Sequence, residues 1–273
     1  MKTLRNLIFF TGLLALGALP CHSSVTFAGT TWYSSSNTAS TLTQTAGVMT
    51  LAAGNHAITY VTPTRILEVG DKLTLSVTFN YTTGTAASAN GFRFGLFDST
   101  NSRVSGDAGS SSLFTNYAGY VAAFGNNSTS TNAYGAGIWE RTTPNSALIN
   151  TSGQYSPNTT SNTAIGVAGT PPMQAGSDYT LTLTLDYLNA TDMEVTSVLS
   201  GGGLPTGFLV TRTYTDVTPV TNIDTIVLFG TTSMSNSMSF QSVSLSVVPE
   251  PAGGALLGFS LLVLFGLTRR RSR

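Results

Sequence analysis

The chain has 273 residues, of which 41% are hydrophobic and only 9% charged, and its twelve basic and twelve acidic side chains cancel. Half of the basic residues lie at the two ends; residues 25–247 carry Arg65, Lys72, Arg93, Arg103, Arg141 and Arg212 against eleven carboxylates, a net charge of −5. A mildly acidic body with scattered basic residues excludes a nucleic-acid footprint, and a single cysteine, Cys21, excludes an intramolecular disulfide.

At the N-terminus Lys2 and Arg5 precede an uncharged apolar stretch at residues 7–19. That is the length of a signal-peptide core and too short for a comfortable membrane span. Residues 1–24 are therefore expected to be a signal peptide, with Ser23, Ser24 and Ala28 as competing cleavage points. Cys21 follows Pro20, a poor context for lipidation.

From residue 25 onward the periodicity is that of β-strands. Leu73, Leu75, Val77, Phe79 and Tyr81 alternate with Thr74, Ser76, Thr78 and Asn80, which describes a strand with one buried and one hydroxyl-rich face. Tyr179, Leu181, Leu183, Leu185 and Tyr187 repeat the pattern against threonines and Asp186, and so do Val243, Leu245 and Val247. Further strands are expected at 25–27, 47–52, 57–60, 91–97, 119–124, 136–141, 194–200, 209–214 and 225–229, separated by Gly-, Asn-, Ser- and Pro-rich turns. No segment of the body shows a sustained helical stripe, and no composition change divides it into two domains.

About a dozen amphipathic strands without helices must cover one another's apolar sides. The expected fold class is all-β, a two-sheet antiparallel sandwich over residues 25–247. The stretch 73–81 followed by Asn90-Gly91-Phe92-Arg93-Phe94-Gly95-Leu96-Phe97-Asp98 resembles a strand pair of exported jelly-roll domains of the concanavalin or laminin-G type.

The side chains offer little for catalysis. His56 is the one histidine left once the signal peptide is removed, and it sits in a turn, Gly54-Asn55-His56-Ala57, with no Ser or Asp motif beside it. Zinc lacks a second His or a Cys pair. A carboxylate-dependent glycosidase needs two carboxyls facing one sugar. The close pairs are Glu68 with Asp71 and Asp192 with Glu194, and both fall at turns, where solvated carboxylates are ordinary. The body is accordingly expected to be non-catalytic, with a glycosidase or a purely structural matrix protein as alternatives. Loop oxygens of Asp98, Asn101 and Asp107 suit a calcium ion and equally suit turn capping, so calcium is the one cofactor the sequence leaves open. Trp139, followed by Glu140 and Arg141, combines a flat apolar ring with polar groups able to grip hydroxyls, the mix a carbohydrate site needs. The competing reading makes Trp139 a core aromatic.

The last residues, 248–273, have an order of their own. Val248-Pro249-Glu250-Pro251 is followed by the uncharged stretch 252–268 and then by Arg269, Arg270, Arg271 and Arg273. Seventeen uncharged residues in a helix extend about 26 Å, enough to cross a hydrocarbon core with little tilt. Arginines do not deprotonate, so the cluster acts as a stop-transfer signal and leaves the body outside the cytoplasm. This order resembles the PEP-CTERM sorting signal of Gram-negative bacteria. The resemblance implies an exosortase-type membrane protease as processing partner, and delivery to the cell surface or to extracellular polysaccharide.

Overall fold

The computed structural model describes residues 21–23, 30–34, 42–45, 47–83, 91–107, 112–124, 137–141, 144–146, 148–149, 155–157, 173–202, 204, 210–230 and 235–248. In chain order the strands are β1 (Cys21–Ser23), β2 (Trp32–Ser34), β3 (Leu42–Thr45), β4 (Val48–Ala52), β5 (His56–Ile66), β6 (Lys72–Thr83) and β7 (Phe92–Asp98). A 3₁₀ turn, Ser112–Asn116, separates these from β8 (Ala118–Phe124), β9 (Gly137–Arg141) and β10 (Tyr155–Pro157). The remaining strands are β11 (Tyr179–Asn189), β12 (Asp192–Gly201), β13 (Val210–Asp216), β14 (Asn222–Gly230) and β15 (Ser235–Val248).

These strands form two antiparallel sheets. One has the order β13-β12-β11-β6-β15-β4-β3, with β1 paired to the far end of β15; the other runs β10-β9-β8-β7-β14-β5-β2. The expected two-sheet sandwich is the observed one. The long alternating strands β6 and β11 lie side by side at its centre, Leu75 opposite Leu183 and Thr74 opposite Thr184. Over residues 73–81 and 179–185 their apolar residues are buried and their threonines half-buried, because successive side chains of a strand leave by opposite faces. Between the sheets Phe79 gathers the rings of Phe92, Phe94, Tyr179 and Phe240, at centroid distances of 5.3, 5.0, 6.0 and 6.4 Å. Tilted and edge-on pairs of this kind add about 0.5–1.5 kcal/mol each beyond area burial.

Four short strands lie outside the expected set: β1, β2, β3 and β10. Each has three or four residues, too few for a period-two signal to rise above composition. Residues 25–27, expected as a strand, lie outside the described residues, as do 1–20 and the tail 249–273 with its Pro-Glu-Pro motif, apolar stretch and arginines. Val248, placed at the start of the tail, is the last residue of β15. Among the described residues no helix is long and apolar enough to cross a membrane.

Candidate ligand-binding face

The seven-stranded sheet has apolar residues on both faces. Its inner face meets the other sheet; its outer face carries a second buried cluster containing Ile58, Phe97, Val121, Trp139 and Val227, roofed by Val104, Phe114, Tyr117, Leu148 and Ile149. Strand register explains the split. Trp139 lies opposite Val121 and Val121 opposite Gly95, which in turn faces Val227 and through it Ile58. Directly paired residues share a face, so this row points outward as a unit. Two aromatic rings fold back along their own strands: a Cβ at Gly137 would land in the Trp139 ring, and one at Gly95 in the ring of Phe97. The glycines leave the space in which these rings lie flat.

The Trp139, Glu140 and Arg141 trio does not form one site. Trp139 is 8% exposed and belongs to the outer cluster. Glu140, also 8% exposed, lies opposite Tyr120, whose ring packs in the core between the sheets. Adjacent residues of a strand cannot share a face, so the carboxylate and the indole are on opposite sides of the sheet. Arg141 returns to the outer face, where its Nη2 donates to the carbonyl of Phe114 at 2.8 Å and to that of Asn145. Its guanidinium thus fixes two roof segments, and Trp139 is floor beneath them.

At one end of this face lies a polar network that the sequence reading missed. Asp224, 2% exposed, accepts the Ser99 amide at 2.8 Å, the Ser99 hydroxyl at 2.6 Å and the Thr225 hydroxyl at 2.7 Å. Arg103 adds Nε at 3.2 Å and Nη2 at 2.8 Å to one carboxylate oxygen, Oδ2. Burial works against the Asp224 charge, but the hydrogen bonds from Ser99, Thr225 and Arg103 outweigh it and hold the carboxyl below its usual value. Arg103 also lies over the Tyr60 ring, 5.1 Å from its centroid. The Tyr60 and Tyr117 hydroxyls meet at 2.9 Å; Tyr60 accepts the Val104 amide, and Tyr117 donates to the Ser102 carbonyl at 2.6 Å. Burial pushes both phenols up. Tyr33, half-buried on β2, packs against Tyr60 at 6.1 Å. One clue stood in the sequence: a carboxylate inside the apolar run of β14, Ile223 to Phe229, has to find partners.

The loop that supplies Ser99 and Arg103 also holds the residues considered for calcium. Asp98 Oδ1 caps the Thr100 amide at 2.7 Å, and Asp107 Oδ1 accepts the Ser34 amide at 2.7 Å. Thr100 and Asn101 both adopt left-handed backbone, with φ of 50° and 63°. Asp98 thus caps its own turn and Asp107 ties the loop to β2, and among the described residues no group of three or more His, Cys, Asp or Glu could hold an ion. The other carboxylate pairs behave alike: Asp71 Oδ2 accepts the Glu68 amide at 2.9 Å, and Asp192 Oδ2 accepts Asn189 Nδ2 at 2.7 Å in the β11–β12 turn.

At the opposite end of the face, Arg93 lies over the Phe229 ring at 5.1 Å and donates to the Ile149 carbonyl at 2.9 Å. His56, expected in a turn, opens β5 and packs on Phe229 with centroids 5.1 Å apart. Burial, with the charge of Arg93 behind it, lowers its pKa to about 4 against a bond to the Leu148 backbone.

Fold and face together define a class: an antiparallel β-sandwich whose seven-stranded sheet carries a roofed outer surface. No protein-family model and no curated protein matches the chain. Among solved structures it is similar to the basic winged bean lectin with Tn-antigen, with 12% identity over 80% of this chain and 98% of that one and a TM-score of 0.45. Lectin II from Ulex europaeus matches with 12% identity over 85% and 99% at 0.46. The metal-free carbohydrate recognition domain of Emp46p matches with 10% identity over 78% and 87% at 0.41.

Proposed function

We infer that this is an exported, non-catalytic protein that binds carbohydrate at the rim of the seven-stranded outer face and is anchored at the cell envelope by its tail. The observation that carries the binding part is the Asp224 network. A buried carboxylate, an arginine over a tyrosine ring and two linked phenols give rigid polar groups beside aromatic surface, the composition a sugar site needs. At this end of the face Tyr33 and Tyr60 are half-buried, whereas Trp139 is buried. In each carboxylate pair considered for a glycosidase one member, Asp71 or Asp192, is engaged in a turn, which favours binding over hydrolysis.

Export and anchoring rest on the sequence of residues 1–24 and 248–273 alone. The reading is arrest by Arg269, Arg270, Arg271 and Arg273 after a span at 252–268, then processing near Pro249-Glu250-Pro251 by an exosortase-type protease.

Titration of soluble oligosaccharides against wild type and Tyr33→Ala tests the binding face: loss of a ring contact weakens affinity by roughly tenfold, and equal affinities remove the face from the reading. Mass spectrometry of surface-exposed protein tests processing. An intact Arg273 terminus there sinks the processing step, and a soluble cytoplasmic chain that keeps this terminus sinks the anchor.

A further inference from the structure

The outer face of the eight-stranded sheet is built from hydroxyls in register. Across five strands Thr213, Thr196, Thr184, Thr74 and Ser246 form one row. Two residues along each strand a second row reads Val198, Thr182, Ser76 and Ser244, and beyond it a third reads Ser200, Thr180, Thr78 and Ser242. Neighbouring rows are about 7 Å apart and neighbouring strands about 4.8 Å. Hydroxyls pair across the strands, Thr74 with Thr184 at 3.2 Å, Thr78 with Thr180 at 3.3 Å and Thr196 with Thr213 at 3.3 Å. A hydroxyl has one donor and two acceptor sites, so each keeps capacity for a partner above the sheet.

Among the described residues of this face, charge is confined to the margins. At one end Lys72 closes on Asp186 at 2.6 Å beside Glu194; at the other Asp178 accepts Asn80 at 3.0 Å and Gln241 at 2.6 Å. These ends are net negative, which repels an anionic polymer, and the three rows between them hold no charge for a cationic one. Protein interface cores are rich in aromatic and apolar side chains, whereas these rows hold one apolar residue, Val198. Adjacent strands rotate by about 20–25°, so a rigid flat lattice such as ice meets two or three strands, while a flexible chain follows the twist.

We propose that this hydroxyl terrace binds a neutral, hydroxyl-rich polysaccharide chain through many weak hydrogen bonds. The site is separate from the Tyr33 and Tyr60 rim and does not depend on it. Should both faces bind, one molecule bridges two polymer chains.

The test is retention of the full chain, solubilised in detergent, on swollen cellulose as a neutral glucan probe, at low and high salt. The expected result is retention that salt leaves unchanged. Replacing Thr74 and Thr184, or Thr78 and Thr180, by Val keeps β-branching and strand propensity while removing hydroxyls. Each Val pair lowers affinity roughly tenfold, and the matching Ser pairs restore it. Thr182→Lys, which sets a charge and a long side chain in the middle row, gives the same loss by another route. In a Tyr33→Ala background the Val pairs still lower retention by the same factor. Wild type that passes through unretained overturns the proposal, as does retention indifferent to the Val pairs and to Thr182→Lys. Retention lost with Tyr33→Ala but not with the Val pairs also overturns it, and assigns the binding to the other face.

Discussion

The hydroxyl of Ser99 donates to Asp224 across 2.6 Å, joining the loop after β7 to β14 over 125 positions of sequence. Asp224 draws the Ser99, Thr225 and Arg103 donors to one point and thereby sets the path of the chain at one end of the outer face. Asp224→Ala strands those donors, Arg103 only partly because it reaches solvent. The expected loss is about 3 kcal/mol, read as a lower urea midpoint with an unchanged slope. The folded-state pKa of Asp224 lies below its unfolded value of 3.8, so its stabilisation is complete above that pH and fades as the pH falls through the folded value.

His56 predicts a separate pH dependence. Its pKa falls from 6.5 to about 4 on folding, so between these values the unfolded chain holds the extra proton. Stability therefore declines as pH drops from 6.5 toward 4 and loses nothing more from this group below that. His56→Gln should flatten the urea midpoint against pH in this window; an unchanged slope refutes the assignment.

Ser197 points into the core at 0% exposure, and its hydroxyl has no hydrogen-bond partner among the described residues. Removing an unsatisfied buried hydroxyl returns its desolvation cost, so Ser197→Ala should stabilise by about 1 kcal/mol. Thermal unfolding shows this as a raised midpoint, and a lowered midpoint means the hydroxyl is bonded.

Trp139 is expected to act on stability first. Trp139→Ala empties the floor under Leu148 and Ile149 at a cost of about 3–5 kcal/mol. Gly137→Ala should cost about 1–3 kcal/mol by pushing a methyl into the same ring. If Trp139→Ala keeps full stability and loses only sugar binding, the indole is a contact surface and not floor.

The strands that could be read from sequence were those long enough to show alternation. Leu73 to Tyr81 and Tyr179 to Tyr187 state their buried and wet faces residue by residue, and the sandwich follows from covering them. β2 and β10, three residues each, carry no such signal and are held by their neighbours β5 and β9. The same alternation, applied to β9, would have separated Glu140 from Trp139, since consecutive strand residues take opposite faces.

The sequence by itself determined the class of the molecule, an all-β body of low charge between two apolar ends, because period-two burial and composition are local properties. Only the tertiary structure decided that Asp224 meets Ser99 and Arg103, that Trp139 is floor, and that the threonines and serines of five strands fall into rows. Those facts depend on which strands pair and in what register. Such long-range choices are made by the packing of the whole sandwich, and no local spacing records them.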